Sequence, residues 1–274
     1  MRLQVHHRTH YVFSQPQARL VQLLRLTPAS HEGQNVVSWR IDACRDARMK
    51  RQRDGYGNLV TMLYVEGPLT ELTLTVTGEV VTEDRAGVLA GEAETLSPLY
   101  FTQTTVLTAP SPELVALAGE IGEGEPLAKA HALNTLLHER MTLLDFAAEG
   151  EPTAAEAFAA GEGIARDLVH CFIAVARVAG FPARYVSGHR YDPDATEATS
   201  HSGHAWAEVY VEGYGWVGFD PAHDMCPTDA YVRVAIGLDH REAAPLSGQR
   251  TGGGHEHLAV DVAVLPAVQG RVGQ

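Results

Sequence analysis

The side chains best suited to chemistry near neutral pH in this 274-residue chain are 14 histidines and three cysteines. Imidazole titrates close to neutrality and ligates metals, and a thiolate is a strong nucleophile. His189, His201, His204 and His223, with Asp220, raise the idea of a metal site. The pattern argues against it. His201 and His204 stand at positions i and i+3 beside a strand, where they would face opposite sides. There is no His-Glu-x-x-His helix and no Cys-x-x-Cys pair. The run Gly252-Gly253-Gly254-His255-Glu256-His257 is too short and isolated for a phosphate loop, and reads as a turn near an active-site rim.

Four segments carry the densest chemical information. Residues 161–180 (GEGIARDLVHCFIAVARVAG) place glycines before a helix with Leu168, Phe172, Val175 and Ala179 on one face. Gly180 ends that helix and Pro182 forbids its continuation. Residues 181–188 (FPARYVSG) are a loop entering a strand. Residues 202–211 (SGHAWAEVYV) alternate as a strand. Residues 215–221 (GWVGFDP) run from the apolar stretch Trp216–Phe219 to Asp220, held before Pro221. Together 204–219 reads as a hairpin turning at residues 212–215.

The elements around these segments fall into two halves. Residues 3–13, 35–43, 59–65 and 72–81 read as short strands separated by turn formers such as Asp54-Gly55-Tyr56-Gly57-Asn58. Val37, Trp39 and Ile41 are expected on one face, and 18–26 could be helix or strand. This half predicts an antiparallel sandwich. Residues 83–96, rich in Gly, Ala and Glu, read as a linker or mobile loop. After Pro112 the period becomes helical: Leu114, Leu117, Ala118 and Ile121, with Ser111 as N-cap, then Leu133, Leu136, Leu137 and Met141, then an Ala-rich helix over 153–160. Residues 258–265 read as one more strand. The expected division is 1–82 a β-rich N-terminal domain, 83–109 a linker, and 110–274 the core.

Composition narrows the class. Lys and Arg number 21 against 34 Asp and Glu, a formal charge of −13, which argues against a nucleic-acid partner. No apolar run reaches the length of a membrane span. Three cysteines make no disulfide framework, and Met1–Phe13 lacks a signal-peptide core. A cytoplasmic setting is therefore expected.

In these four segments the chain resembles the bacterial transglutaminase-like proteins, which share a papain-like cysteine-enzyme core. Residues 163–221 follow the family pattern of a Gly-x-Cys-Arg-Asp helix start, a Pro-Ala-Arg-Tyr-Val strand, a His-Ala-Trp-x-Glu-Val strand and a Gly-Trp-x-x-Phe-Asp-Pro strand. Leu24-Arg25-Leu26-Thr27-Pro28 and Asp54 to Asn58 fit the branch of the family whose core follows a β-rich N-terminal region, and the C-terminal Gly252–His255 fits that branch as well. The resemblance implies an α+β fold: an N-terminal antiparallel β-domain, then a core in which a helix packs on an antiparallel sheet. It implies His204 as general base and Asp220 as the residue that orients it. It also implies thiol-based acyl transfer on a peptide or protein amide. Water as acceptor would make a hydrolase and an amine a transglutaminase, according to how far the closed cleft excludes water. No cofactor is implied, and no acidic loop supports calcium.

One residue departs from the pattern. The nucleophile position is Ala165, whose methyl group can neither attack a carbonyl nor share a proton with His204. Cys171, six residues on, stands about 9 Å further along the helix axis and roughly 240° around it. Burial is the ordinary state of such a cysteine. Cys44 and Cys226 lack the helix-start context. Asp167 fits a first helical turn on electrostatic grounds alone, His170 reads as a packing residue, and Trp206 and Trp216 as cleft wall or core. Ala165 is then either a deliberate Cys→Ala replacement in an enzyme or the mark of a natural pseudoenzyme that binds peptides. The completeness of the flanking motifs favours the replacement. Either way the chain is expected to be inactive.

Overall fold

The computed structural model describes residues 1–92, 94–146, 150–193 and 203–267. The N-terminal half is built on two long strands, β1 (Arg2–Thr27) and β4 (Leu59–Thr82), paired antiparallel, with β2 (Gln34–Ala43) and β3 (Arg48–Arg53) laid along β4. Burial in β1 alternates through Leu3, Val5, His7, Thr9, Tyr11 and Phe13 and breaks at Ser14–Pro16. The register against β4 shifts there, between Val12 and Gln17. At that break β4 passes so close that a Cβ on Gly67 would lie 2.0 Å from the Gln17 carbonyl oxygen, which requires glycine.

Three sequence expectations change in this half. Residues 18–26 are strand, because both edges of the run find partners in β4 and in a C-terminal strand. Val37 does not share a face with Ile41: a bulge between Val36 and Ser38 turns Val37 out to 48% exposure while Ile41 is buried. The third concerns the end of the chain. Strands β11 (Leu246–Thr251) and β12 (Glu256–Pro266), which the sequence grouped with the core, pair antiparallel with β1 and complete the N-terminal sheet.

The second half holds helices α1 (Pro112–Glu120), α2 (Pro126–Arg140), α3 (Ala154–Ala160) and α4 (Ala165–Val178), with a two-residue parallel pairing between β5 (Thr142–Leu143) and β6 (Glu162–Gly163). The antiparallel sheet β7 (Ala183–Arg190), β8 (His204–Val211), β9 (Gly215–Phe219) and β10 (Tyr231–Gly237) has the order β10-β7-β8-β9. A single turn, α5 (His240–Ala243), leads back to β11. The α4 helix is buried all round from Asp167 to Arg177, because the sheet and helices α1, α2 and α3 surround it. Phe172, with no exposed surface, stacks on Phe219 of β9 at 5.6 Å between ring centroids. Alternation along β8 sends Ala205, Ala207 and Val209 into this helical core and Trp206 into a second core with Phe101, Trp216 and Tyr231.

The segment 83–96 is fastened to β9 rather than free. The Leu89 amide donates to the Trp216 carbonyl at 2.9 Å, and the Gly218 amide to Gly87 at 2.9 Å. Ala93 lies outside the described residues.

Candidate active site

Position 165 and His204 are brought to the same end of the core by connection lengths. The 14 residues of α4 advance about 21 Å. A short turn through Gly180, at φ 88°, then reverses the chain. The eight residues of β7 cover about 26 Å on the way back. Strand β8 pairs antiparallel with β7, and His204 lies opposite Gly188 near the end of β7. The path out along α4 and back along β7 therefore returns His204, the first residue of β8, toward the end of the core where α4 begins, and β8 packs on α4. The helix start is set by small residues. Gly163 is buried, and a Cβ there would lie 2.8 Å from that of Asp167. The Asp167 carboxylate accepts from the Ile164 amide at 3.2 Å and from Arg166 Nε at 2.9 Å. Ala165 itself is partly buried against the helical core.

Asp220 follows β9 directly and has no exposed surface. Its Oδ2 accepts from three groups: His204 Nε2 at 2.6 Å, the Tyr231 hydroxyl at 2.7 Å and His223 Nδ1 at 2.9 Å. Oδ1 accepts from the Ala222 amide at 3.0 Å. Burial alone would push this carboxyl up. His204, in charge and hydrogen bond, and then His223 hold it far below the usual carboxylate range. Since Nε2 of His204 is on Asp220, the ring nitrogen left for a group at the helix start is Nδ1. The turn carrying Asp220 is pinned from α2. Asn134 donates to the Asp220 carbonyl and to Asp224, and Thr135 to Asp224.

Tyr231 was not singled out from sequence. It comes from β10, which lies outside the four motif-bearing segments. Gly188 in the intervening β7 makes room for Trp206, because a Cβ there would lie 2.5 Å from the Trp206 ring. Trp206 packs edge-on to Tyr231 and beside His204, so it is the floor beneath the pair. Trp216 is core, with Arg184 stacked over its ring at 3.8 Å. Arg184 and Arg233 share Glu208, at 2.6 and 2.7 Å, deep in the second core. Glu94 and Glu92 of the 83–96 segment reach the same two arginines at 3.0 and 2.7 Å. A cavity of about 60 Å³ lies behind Tyr231 and Trp206, lined also by His31, Gln34 and Arg233, and does not include His204.

The remaining candidates sort clearly. His170 is buried and its Nε2 accepts from the His240 amide at 3.0 Å, a packing role. Cys171 is buried with its thiol on the Ala154 carbonyl, and burial pushes that thiol well up. Cys226 is half-buried, its thiol raised by burial to about 11. Of the histidines weighed as metal ligands, His189 is buried against His7 and Trp39. His201 lies outside the described residues. His204 and His223 meet Asp220, a proximity that strand alternation between His201 and His204 did not reveal. The Gly252–Gly254 turn packs on Ser14, Gln15 and Gln17 of β1, which corrects its placement at the site rim.

A helix packed on an antiparallel sheet that carries a His–Asp pair, after a β-domain, is the α+β architecture of papain-like enzymes. Residues 115–221 match the transglutaminase-like superfamily core and residues 3–81 the bacterial transglutaminase-like N-terminal region. The chain belongs to the transglutaminase-like superfamily. It is 28% identical to an uncharacterised protein of Mycobacterium leprae, with 96% of this chain and 98% of that one covered. It is 29% identical to an uncharacterised protein of Mycobacterium tuberculosis, with 90% and 87% covered. Among solved structures it resembles a candidate cysteine protease from Cytophaga hutchinsonii, at TM-score 0.75 and 19% identity over 97% of this chain and 91% of that one. That likeness speaks for the fold.

Proposed function

We propose that this chain is the scaffold of a thiol acyl-transfer enzyme acting on peptide or protein amide bonds, lacking its nucleophile at Ala165. The observation that carries the reading is the bond from His204 Nε2 to buried Asp220, which leaves Nδ1 for a side chain at the start of α4. In the complete enzyme a thiol at that position gives its proton to His204. The thiolate, favoured by the helix N-terminus, attacks the amide carbonyl. The imidazolium, stabilised by Asp220, then protonates the leaving amine. Water or an amine releases the acyl group. The backbone amide at position 165 is one donor to the oxyanion. No step needs a cofactor. The three unpaired cysteines support a reducing, cytoplasmic setting.

Ala165→Cys tests this. Turnover of glutamine-containing peptides or of a fluorogenic amide by the variant, with none by the parent chain, is expected. Absence of turnover with peptide binding intact would replace the reading with that of a binding module using the same cleft.

A further inference from the structure

A Cys-His-Asp arrangement needs one imidazole on its carboxylate; here two share one oxygen. His204 Nε2 and His223 Nδ1 approach Asp220 Oδ2 at 2.6 and 2.9 Å, and the three ligand atoms all lie within 4.8 Å of one another. We infer that His204, His223 and Asp220 form a binding site for one divalent transition-metal ion, of which Zn²⁺ is the natural example.

The donor set is right for the ion. Two imidazole nitrogens and one carboxylate oxygen suit zinc and its neighbours, and three protein ligands leave a position open for water or substrate. Ligand atoms held at about 2.1 Å from one ion in tetrahedral or octahedral angles are about 3.0–3.4 Å apart. The two His–Asp separations must widen by up to about 0.8 Å to reach that range, and the two imidazole nitrogens, within 4.8 Å of each other, must come no further apart than about 3.4 Å, with both imidazoles turning from hydrogen-bond donors into ligands. The supporting shell is in place. The Tyr231 hydroxyl and the Ala222 amide donate to the carboxylate, and His223 sits on the turn that α2 pins through Asn134. The side chains of His204 and His223 keep 13% and 27% of their surface, so an ion has a way in from solvent. In a thiol enzyme an ion here would take His204 from its work as a base. In the chain with Ala165 there is no thiol for that base to serve and His204 is free for the ion; with a cysteine at 165 the ion and the thiol would compete for it.

The inference stands apart from the thiol reading, and the experiment keeps them separate. The chain, freed of metal with a chelator, is titrated with Zn²⁺ and with Co²⁺ by calorimetry and visible absorption. One ion per chain is expected. Tyr231→Phe should weaken it by about 10- to 100-fold, the range for a residue supporting a ligand, and His223→Ala by more. A His255→Ala/His257→Ala variant should bind as the parent does. Unchanged affinity in His223→Ala would overturn the site. A Zn²⁺-soaked crystal of the unsubstituted chain avoids any question of folding: the anomalous peak should touch His204, His223 and Asp220. A peak only elsewhere, or none, would overturn the inference. Turnover by Ala165→Cys is measured with chelator present, so its failure bears on the thiol reading alone.

Discussion

Glu208 offers the sharpest quantitative test of how the site is supported. Its carboxylate is buried between the guanidiniums of Arg184 and Arg233, beneath the Trp206–Tyr231 floor. Burial on its own would raise this group. Arg233 first and Arg184 next hold it down, from 4.5 to about 2. At 1.36 kcal/mol per pH unit that drop is worth about 3 kcal/mol. Glu208→Gln keeps the shape and removes the charge, leaving Arg184 to Glu94 and Arg233 to Glu92 among the described residues. Breaking a buried pair on one side costs about 3–5 kcal/mol, so two routes give one magnitude. For a chain of this size the loss lowers Tm by about 6–12 °C. The sign with pH follows from a depressed carboxylate. The stability it contributes is complete above the unfolded value of 4.5 and is lost as pH falls from there toward about 2. At pH 3.5 the gap between parent and variant should be about 1 kcal/mol smaller than at pH 7. Urea unfolding of both proteins at the two pH values measures it. A loss under about 1 kcal/mol at pH 7, or a gap that does not narrow, would refute the account of this ion network.

Other outcomes follow from burial. Phe172→Ala removes a ring stacked on Phe219 beneath the helix of the site, and should cost about 3–5 kcal/mol by urea unfolding. Burial, then His7, pushes His189 down from 6.5 to about 3, so the folded state holds it neutral. Below pH 6.5 the unfolded chain gains protons the native one refuses, and stability falls with pH. His189→Gln should flatten that fall between pH 6.5 and 4.5, and an unchanged slope would count against a neutral buried imidazole. With an aromatic disulfide reagent, exposed Cys44 should react at once, Cys226 slowly, and Cys171 only after denaturation. Prompt reaction of Cys171 would contradict its packing on Ala154.

The parts of this molecule legible from sequence are those fixed by local pattern. The α4 helix announces itself by its apolar face, its glycine entry and its Gly180 exit, and the β8–β9 hairpin by alternation around a four-residue turn. His204 and Asp220 stand out in sequence because the motifs around them are complete, and the structure joins them in one hydrogen bond. What escaped depends on distant pairing. Nothing in residues 246–266 says that they return to β1 rather than close the core, since the partner is more than 200 residues away. The bulge at Val37 is invisible to alternation, because one inserted residue reverses every later face. His223 and Tyr231 are three and eleven residues past Asp220 and meet it only through a turn and through a neighbouring strand. Their signal was chemical rather than positional: a buried carboxylate needs donors, and an imidazole and a phenol lie within a short reach of chain.

The central claim is that the chain holds His204 and Asp220 ready to activate a thiol at the start of α4. The rate of iodoacetamide alkylation at the introduced thiol of Ala165→Cys, followed against pH with and without His204→Ala, tests it most directly. The account predicts fast alkylation of that thiol well below the ordinary cysteine range, slowed to the rate of an ordinary thiol when His204 is removed. Equal rates with and without His204 would contradict it.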